Sequence, residues 1–133
     1  MDKRLNDIAH EIIVILKYNG FTIHRYDAYS TNSIYLKLDY GVCNSIRISD
    51  HTGKKYLKYR YNMILNGNVK EVQDVYERFY YNQDTLTDMI DKIISDREQK
   101  IEKYGPRGYK YFMMKNDEDS SDKKGFWQKA RIV

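Results

Sequence analysis

The stretch SIYLKLDYGVCNSIRIS, residues 33–49, decides the fold of this chain. Apolar and polar residues alternate in both halves of it, and a period of two is typical of a strand that buries one face. A short turn at residues 40–41 separates the halves, and the alternation returns at residues 57–63 after a turn at residues 50–53. Because short turns connect antiparallel neighbours, the sequence predicts an antiparallel β-meander of three to four strands.

Helical patterns flank this meander on both sides. Apolar residues recur at spacings of three and four over residues 5–18, which predicts an N-terminal helix. The same spacing over residues 69–79 and 85–104 predicts two C-terminal helices, with Gly105 and Pro106 ending the second. A meander with helices on one face is an α+β fold, and we expect the C-terminal helices to pack on that face.

The chain of 133 residues is long enough for one domain of this kind. We expect a single α+β domain over residues 1–115, in which residues 109–115 could add one more strand. An acidic loop and a basic, aromatic C-terminal tail then occupy residues 116–133. The longest apolar run has five residues, too few to cross a membrane, and a lone cysteine excludes a disulfide framework. The N-terminal residues lack the pattern of a cleavable signal, so the sequence predicts a cytoplasmic protein.

The charge is unevenly distributed along the chain. The net charge is +4, from 23 Lys and Arg against 19 Asp and Glu. Residues 21–66 carry a net charge of +4 and residues 105–133 carry +3, whereas residues 67–104 carry −3. A basic sheet and tail beside an acidic helical pair indicate a surface with two different sides, which is more informative than the net charge itself.

One face of the predicted sheet combines basic and tyrosine side chains. If the apolar residues of the alternating blocks face the helices, the polar residues between them share the opposite face. These residues are Tyr35, Lys37, Arg47, Lys58 and Arg60, which His24 and Tyr26 could join. Tyrosine beside arginine can stack on bases and pair with phosphates, or it can contact an acidic protein surface. It can equally belong to an ordinary solvated face of an antiparallel sheet, so the pattern leaves three interpretations open.

The residue patterns do not indicate an enzyme. Ser49, Asp50 and His51 are adjacent, so their side chains point to alternating sides of a strand and do not converge as a catalytic triad does. Carboxylates on one helical face could hold Mg²⁺ in a nuclease, although acidic residues are also common in a first helical turn. These carboxylates are Asp84, Asp88 and Asp91, with Asp96 one turn further on.

Metal ligands and nucleophiles are not indicated either. The three histidines lack the spacing of metal ligands, and Cys43 has no accompanying Cys–His motif. The sequence also lacks the glycine pattern of a phosphate-binding loop. We therefore predict a protein without catalytic residues, metal sites or cofactors.

The C-terminal tail adds a second group of candidate contact residues. Its aromatic and aliphatic side chains are costly to leave exposed, so we expect the tail to dock on its own domain or on a partner. The candidate contacts in the tail are Phe126, Trp127, Lys129 and Arg131.

A hairpin of small uncharacterised proteins from Firmicutes phages and mobile elements resembles part of this chain. The resemblance covers the block SIRISDH, residues 45–51, with residues 33–41 before it and residues 58–62 after it. In its length, its α+β build and its abundance of Tyr, Lys and Asn, the chain is similar to phage-encoded anti-CRISPR inhibitors. That resemblance implies a protein that binds a CRISPR effector nuclease and blocks it sterically. Many such inhibitors are acidic mimics of nucleic acid, and this basic chain departs from them.

We therefore expect a phage or mobile-element anti-defence protein in the host cytoplasm. It would be an anti-CRISPR whose partner is a CRISPR effector nuclease complex, with contacts from the sheet face and the tail. The alternative is a non-enzymatic accessory protein that binds DNA or RNA through the same sheet face. Neither hypothesis involves a membrane.

Overall fold

In the computed structural model, helices cover one face of an antiparallel sheet. The structure describes residues 1–50, 59–64, 76–118 and 129–133. The elements in chain order are α1 (Lys3–Tyr18), β1 (Ile23–Ala28), β2 (Ser33–Leu38), β3 (Gly41–Ser49), β4 (Tyr59–Ile64), β5 (Tyr76–Tyr81), α2 (Leu86–Glu118) and β6 (Arg131–Ile132). Neighbouring strands are antiparallel, in the order β5-β4-β3-β2-β1-β6. The prediction of an α+β fold is therefore confirmed.

The sheet is larger than the predicted meander of three to four strands, because the described residues form six. The main error concerns the predicted helix over residues 69–79, since residues 76–81 form β5 instead. Four of the six residues of β5 are aromatic, and aromatic side chains favour a pleated surface beside a partner strand. Phe79 of β5 lies directly opposite Tyr61 of β4. The first part of the predicted helix, residues 69–75, lies outside the described residues.

The C-terminal helix also differs from the prediction. α2 continues past the predicted end at Gly105 and Pro106, and it is kinked at Gly105, whose φ of 76° and ψ of 159° are not helical. Pro106 can begin a new helical piece after the kink, because the first residue of a helix needs no backbone N–H donor. Residues 109–115 are consequently helical and do not form a further strand.

The end of the predicted C-terminal tail joins the sheet. The strand Arg131–Ile132 pairs with His24 and Arg25 of β1. The backbone N–H of Val133 donates a hydrogen bond to the carbonyl of Ile23 at 3.0 Å, and its side chain packs against the core. These last residues therefore cover part of the free edge of β1.

The core lies between the sheet and the two helices. The strand register places Ile34 opposite Ile48 and Leu36 opposite Ile46, and all four side chains are fully buried. The buried side chains that the helices contribute include Leu5, Ala9, Ile12 and Leu16 from α1 and Met89, Ile90 and Ile93 from α2. The apolar residues of the alternating blocks thus face the helices, which leaves the polar residues between them on the other face.

The carboxylate of Asp39 ties the turn between β2 and β3 to both helices. Its Oδ1 accepts a hydrogen bond from the backbone N–H of Thr22 at 3.0 Å, and its Oδ2 accepts one from the Tyr109 hydroxyl at 2.6 Å. Arg97 Nε forms an ion pair with the same Oδ2 at 2.8 Å, while Arg97 also donates to the carbonyl of Gly20 just after α1. One side chain therefore links the turn, the end of α1 and the helical pieces on either side of the α2 kink.

A buried polar network joins α2 to the middle of the sheet. The Lys100 ammonium, whose side chain is fully buried, pairs with Asp96 one helical turn earlier. The Tyr61 hydroxyl lies within hydrogen-bond distance of both Asp96 Oδ2, at 3.2 Å, and Asn44 Oδ1, at 3.1 Å. Because a buried charge without a partner is strongly destabilising, this network fixes the position of α2 along β3 and β4.

Replacing Asp39 with asparagine tests the link between the turn and the helices. Asparagine keeps the size of the side chain and tolerates the φ of 51° at this position, but it removes the charge that pairs with Arg97. We expect Asp39→Asn to lower the free energy of unfolding by about 2–3 kcal/mol, as urea denaturation would measure. The control Asp91→Asn, at an exposed carboxylate of α2, should change it by less than about 0.5 kcal/mol. Equal effects of the two substitutions would contradict this role of Asp39.

Alkaline unfolding tests the buried tyrosines. Burial, followed by the charge of Asp39, raises the pKa of Tyr109, and burial followed by the charge of Asp96 raises the pKa of Tyr61. Both phenols therefore keep their protons in the folded chain at a pH where unfolded tyrosines, with a pKa of about 10, lose theirs. Their contribution to stability is complete below about pH 10 and decreases above it.

We expect Tyr109→Phe to reduce this alkaline loss. The slope of the free energy of unfolding between about pH 10 and about pH 11 should become less steep by up to about 1.4 kcal/mol per pH unit. Urea denaturation at a series of pH values measures the slope. An unchanged slope in the variant would show that the Tyr109 phenol ionises equally easily in the folded and unfolded chains.

Candidate binding face of the sheet

A row of arginine and tyrosine side chains crosses the sheet on the face turned away from the helices. The register pairs Tyr26 with Tyr35, Tyr35 with Arg47, Arg47 with Arg60, and Arg60 with Tyr80, on five successive strands. Since adjacent strands lie about 4.8 Å apart, the row is about 19 Å long. Its centre is positively charged and its two ends are aromatic.

A second row runs beside the first, two residues away along each strand. It pairs His24 with Lys37, Lys37 with Ser45, Ser45 with Asn62, and Asn62 with Arg78. Lys37 and Arg78 add positive charge to this row. We call the ten residues of the two rows the outer face.

The side chains of the outer face are held in place by their neighbours. Lys37 is only 4% exposed, and Tyr35, Arg47 and Arg60 are half-buried, whereas Tyr80 at one end is 46% exposed. A side chain that is already immobilised loses little conformational freedom when it binds a partner. The partly exposed residues of the outer face are therefore preorganised, whereas Lys37 and Ser45, each 4% exposed, offer almost no surface to a partner.

Arg60 lies among like charges. Burial, followed by the positive charges of Arg78 and Arg47, lowers the pKa of Arg60. Within the described part of the chain, Arg60 Nε has no hydrogen-bond partner, and neither has Oδ1 of the adjacent Asn62. Arg47 also lies 5.9 Å from the centre of the Tyr35 ring, a distance typical of a cation–π contact. A bound anion would offset the mutual repulsion at this point.

Arginines on the helix side of the sheet have a different environment. Arg25 Nε pairs with Asp27 Oδ1 at 2.7 Å, and Arg97 Nε pairs with Asp39 Oδ2 at 2.8 Å. These two guanidiniums stabilise the fold through carboxylates of the same chain. Among the described residues, no carboxylate ion pair of this kind involves Arg60, whose Nε has no hydrogen-bond partner there.

The predicted contact residues fall into three groups. Those on the outer face are Tyr35, Lys37, Arg47 and Arg60, with His24 and Tyr26 beside them. Those outside the described residues are Lys58, Phe126 and Trp127, and His51 of the rejected triad lies outside them as well. Lys129 is exposed, and Arg131 pairs with Arg25, which places Arg131 on the helix side. The register of β6 therefore separates Arg131 from the outer face by the thickness of the sheet.

Some residues of the outer face are missing from the predicted site, among them Asn62, Arg78 and Tyr80. Both Arg78 and Tyr80 belong to β5, whereas the sequence predicts a helix over residues 69–79, which includes Arg78 and ends just before Tyr80. The signal that could have identified them is the aromatic content of residues 76–81, where four of six side chains are aromatic and favour a strand.

The aspartates considered as a Mg²⁺ site do not act together. Asp96 is buried and paired with Lys100, whereas the other three are exposed, namely Asp84, Asp88 and Asp91. The turn before α2 is capped by Asn82, which forms a capping box with Thr85. The described residues contain no group of three or more side chains that could hold a metal ion.

Comparison with known proteins gives no match, since no family model, no curated protein and no solved structure matches this chain. None of the helices in the described part of the chain is long and apolar enough to cross a membrane. The case for a functional site therefore rests on the geometry and charge of the outer face.

Replacing Arg60 tests whether this residue serves the fold. Arg60→Met keeps the aliphatic part of the side chain and removes a half-buried charge. We expect the free energy of unfolding to stay unchanged or to rise by up to about 1 kcal/mol, as chemical denaturation would measure. The matched control Arg25→Met breaks the ion pair with Asp27 and should lower it by about 1–2 kcal/mol. If Arg60→Met lowered the free energy of unfolding as much as Arg25→Met does, Arg60 would have a structural role.

Proposed function

We propose that the protein acts by binding a partner through the outer face, without catalysing a reaction. The observation that carries this proposal is the row of Tyr26, Tyr35, Arg47, Arg60 and Tyr80 across five adjacent strands. Tyrosine and arginine are among the residues most enriched in the energetically dominant parts of interfaces. A rigid sheet presents them together, so that a partner of negative charge meets a surface that is already arranged.

The partner that we propose is a CRISPR effector nuclease complex, which the protein inhibits sterically as a phage or mobile-element anti-CRISPR. The support for this identity is the resemblance of the chain to small phage-encoded inhibitors. The geometry supports the mechanism in a general way, because a preorganised face can cover a surface that the nuclease needs.

Capture of a type II effector complex tests the proposed inhibition. The immobilised protein should retain the complex and, when added in solution, should reduce cleavage of target DNA. Arg60→Gln and Tyr80→Ala should each weaken capture about tenfold, since each removes a central or terminal contact of the row. The matched controls are Arg107→Gln and Tyr111→Ala, both at exposed positions of α2, and they should leave capture unchanged.

Two outcomes would contradict the proposed inhibition. One is normal cleavage together with no retention of the complex. The other is retention that the outer-face variants and the α2 variants reduce equally, because the contact surface would then lie elsewhere.

A second candidate function is that of a non-enzymatic accessory protein that binds DNA or RNA by itself. The observation that favours it is the presence of tyrosines at both ends of the arginine pair, since aromatic rings stack on bases while guanidiniums pair with phosphates. A mobility-shift assay at about 50 mM salt tests it without any effector present. Failure to bind both DNA and RNA would exclude this function.

A further inference from the structure

We propose that Arg60, with Arg47 and Arg78 on the adjoining strands, forms a phosphate-binding site for the backbone of a single-stranded nucleic acid. This inference rests on the proposed function in one respect, because it takes the outer face as the contact surface. It adds that the ligand is the phosphate backbone of a single strand. That strand can be free in solution or held in an effector complex.

The arrangement of Arg60 indicates an anionic ligand. Arg60 and Arg47 are directly paired across β4 and β3, and Arg78 lies on β5 in the position diagonal to Arg60. Arg60 Nε is buried and has no hydrogen-bond partner among the described residues. The planar guanidinium presents its donors in a fork that matches the oxygens of a phosphate. A phosphate that contacts the partly exposed guanidinium groups of this cluster would offset the repulsion between the arginines.

The shape of the row favours a nucleic acid over an isolated anion. The charged centre, Arg47 and Arg60, is flanked by Tyr26 and Tyr35 on one side and by Tyr80 on the other. Bases can stack on such rings while the backbone between them lies on the arginines. A free phosphate would contact only the centre of the row, whereas a nucleic acid can contact its whole length.

Charge also indicates which part of a nuclease complex the outer face can contact. The channel of a CRISPR effector that holds its heteroduplex is positively charged, so a basic face is repelled from it. The nucleic acid in the complex carries the complementary charge. The outer face is consequently suited to bind exposed guide or target strand, and not to replace nucleic acid in its channel as an acidic mimic does.

The width of the face favours a single strand over a duplex. The major groove of B-form DNA, about 12 Å wide, admits a helix or a two-stranded ribbon, whereas the row on this sheet crosses five strands over about 19 Å. Stacking on tyrosine also requires bases that are not already stacked within a helix. An unpaired segment of nucleic acid can lie along the row, and its bases are free to stack on the tyrosines.

Fluorescence anisotropy with labelled oligothymidine and oligouridine of about 12 nucleotides tests the proposal across a salt series. Three phosphate contacts predict a slope of log K against log salt of about −2, so that affinity falls about twentyfold between about 50 and about 200 mM salt. Arg60→Gln and Arg78→Gln should each make the slope less steep by about 0.7. The control Arg107→Gln, at an exposed position of α2, should leave it unchanged.

Arg78→Gln keeps the test valid if Arg60→Gln fails to fold, since Arg78 is exposed. Circular dichroism melting identifies any variant that is unfolded. Tyr80→Ala should weaken oligonucleotide binding about tenfold, while Tyr111→Ala, at a similarly exposed position of α2, should not.

The outcomes separate this proposal from the proposed function. Failure to bind either oligonucleotide at about 50 mM salt, or equal slopes in the Arg60, Arg78 and Arg107 variants, would overturn the phosphate site. If oligonucleotides do not bind but the effector complex is still captured, and Arg60→Gln abolishes that capture, the outer face would instead contact an acidic protein surface. Oligonucleotide binding without effector capture would support the phosphate site and contradict the proposed inhibition. Tighter binding of a duplex of equal length would overturn the preference for a single strand.

Discussion

The carboxylate of Asp39 is the interaction on which the arrangement of this molecule depends. It lies in the turn between β2 and β3 and receives hydrogen bonds from Thr22, Arg97 and Tyr109, which belong to the segment after α1 and to both pieces of α2. Because these contacts hold the helices against one side of the sheet, that side is closed by the core. The outer face is the opposite side of the sheet, which α1 and α2 do not cover.

The two faces of the sheet could be predicted from the sequence, because alternation along a strand assigns each residue to one face. This assignment does not require knowing which strands lie beside it. A slip of one residue in the register would move every side chain to the other face, so the buried positions of Ile34 and Leu36 also fix the outward positions of Tyr35 and Lys37. The same logic places Arg47 among the polar residues of the outer face. The part of the candidate site on β2 and β3 thus follows from local pattern alone.

The remaining errors arise where tertiary contacts override local pattern. Residues 76–81 continue a segment with helical spacing, yet pairing with β4 makes them a strand and adds Arg78 and Tyr80 to the outer face. Gly105 and Pro106 are typical of a helix end, but a change of direction lets α2 continue. The role of Asp39 has no sequence signal beyond a turn, since its partners lie 17 to 70 residues away.

The most direct test of the account is a nuclear magnetic resonance map of the binding surface. Titration with an unlabelled single-stranded oligonucleotide should shift the guanidinium Nε–H signals of Arg47 and Arg60 and the amide signals of neighbouring residues in β2 to β5. The guanidinium signal of Arg25, which is paired with Asp27 on the helix side, should not move. Shifts confined to α1 and α2, with the outer-face arginines unchanged, would contradict the central claim that this face binds a single-stranded nucleic acid.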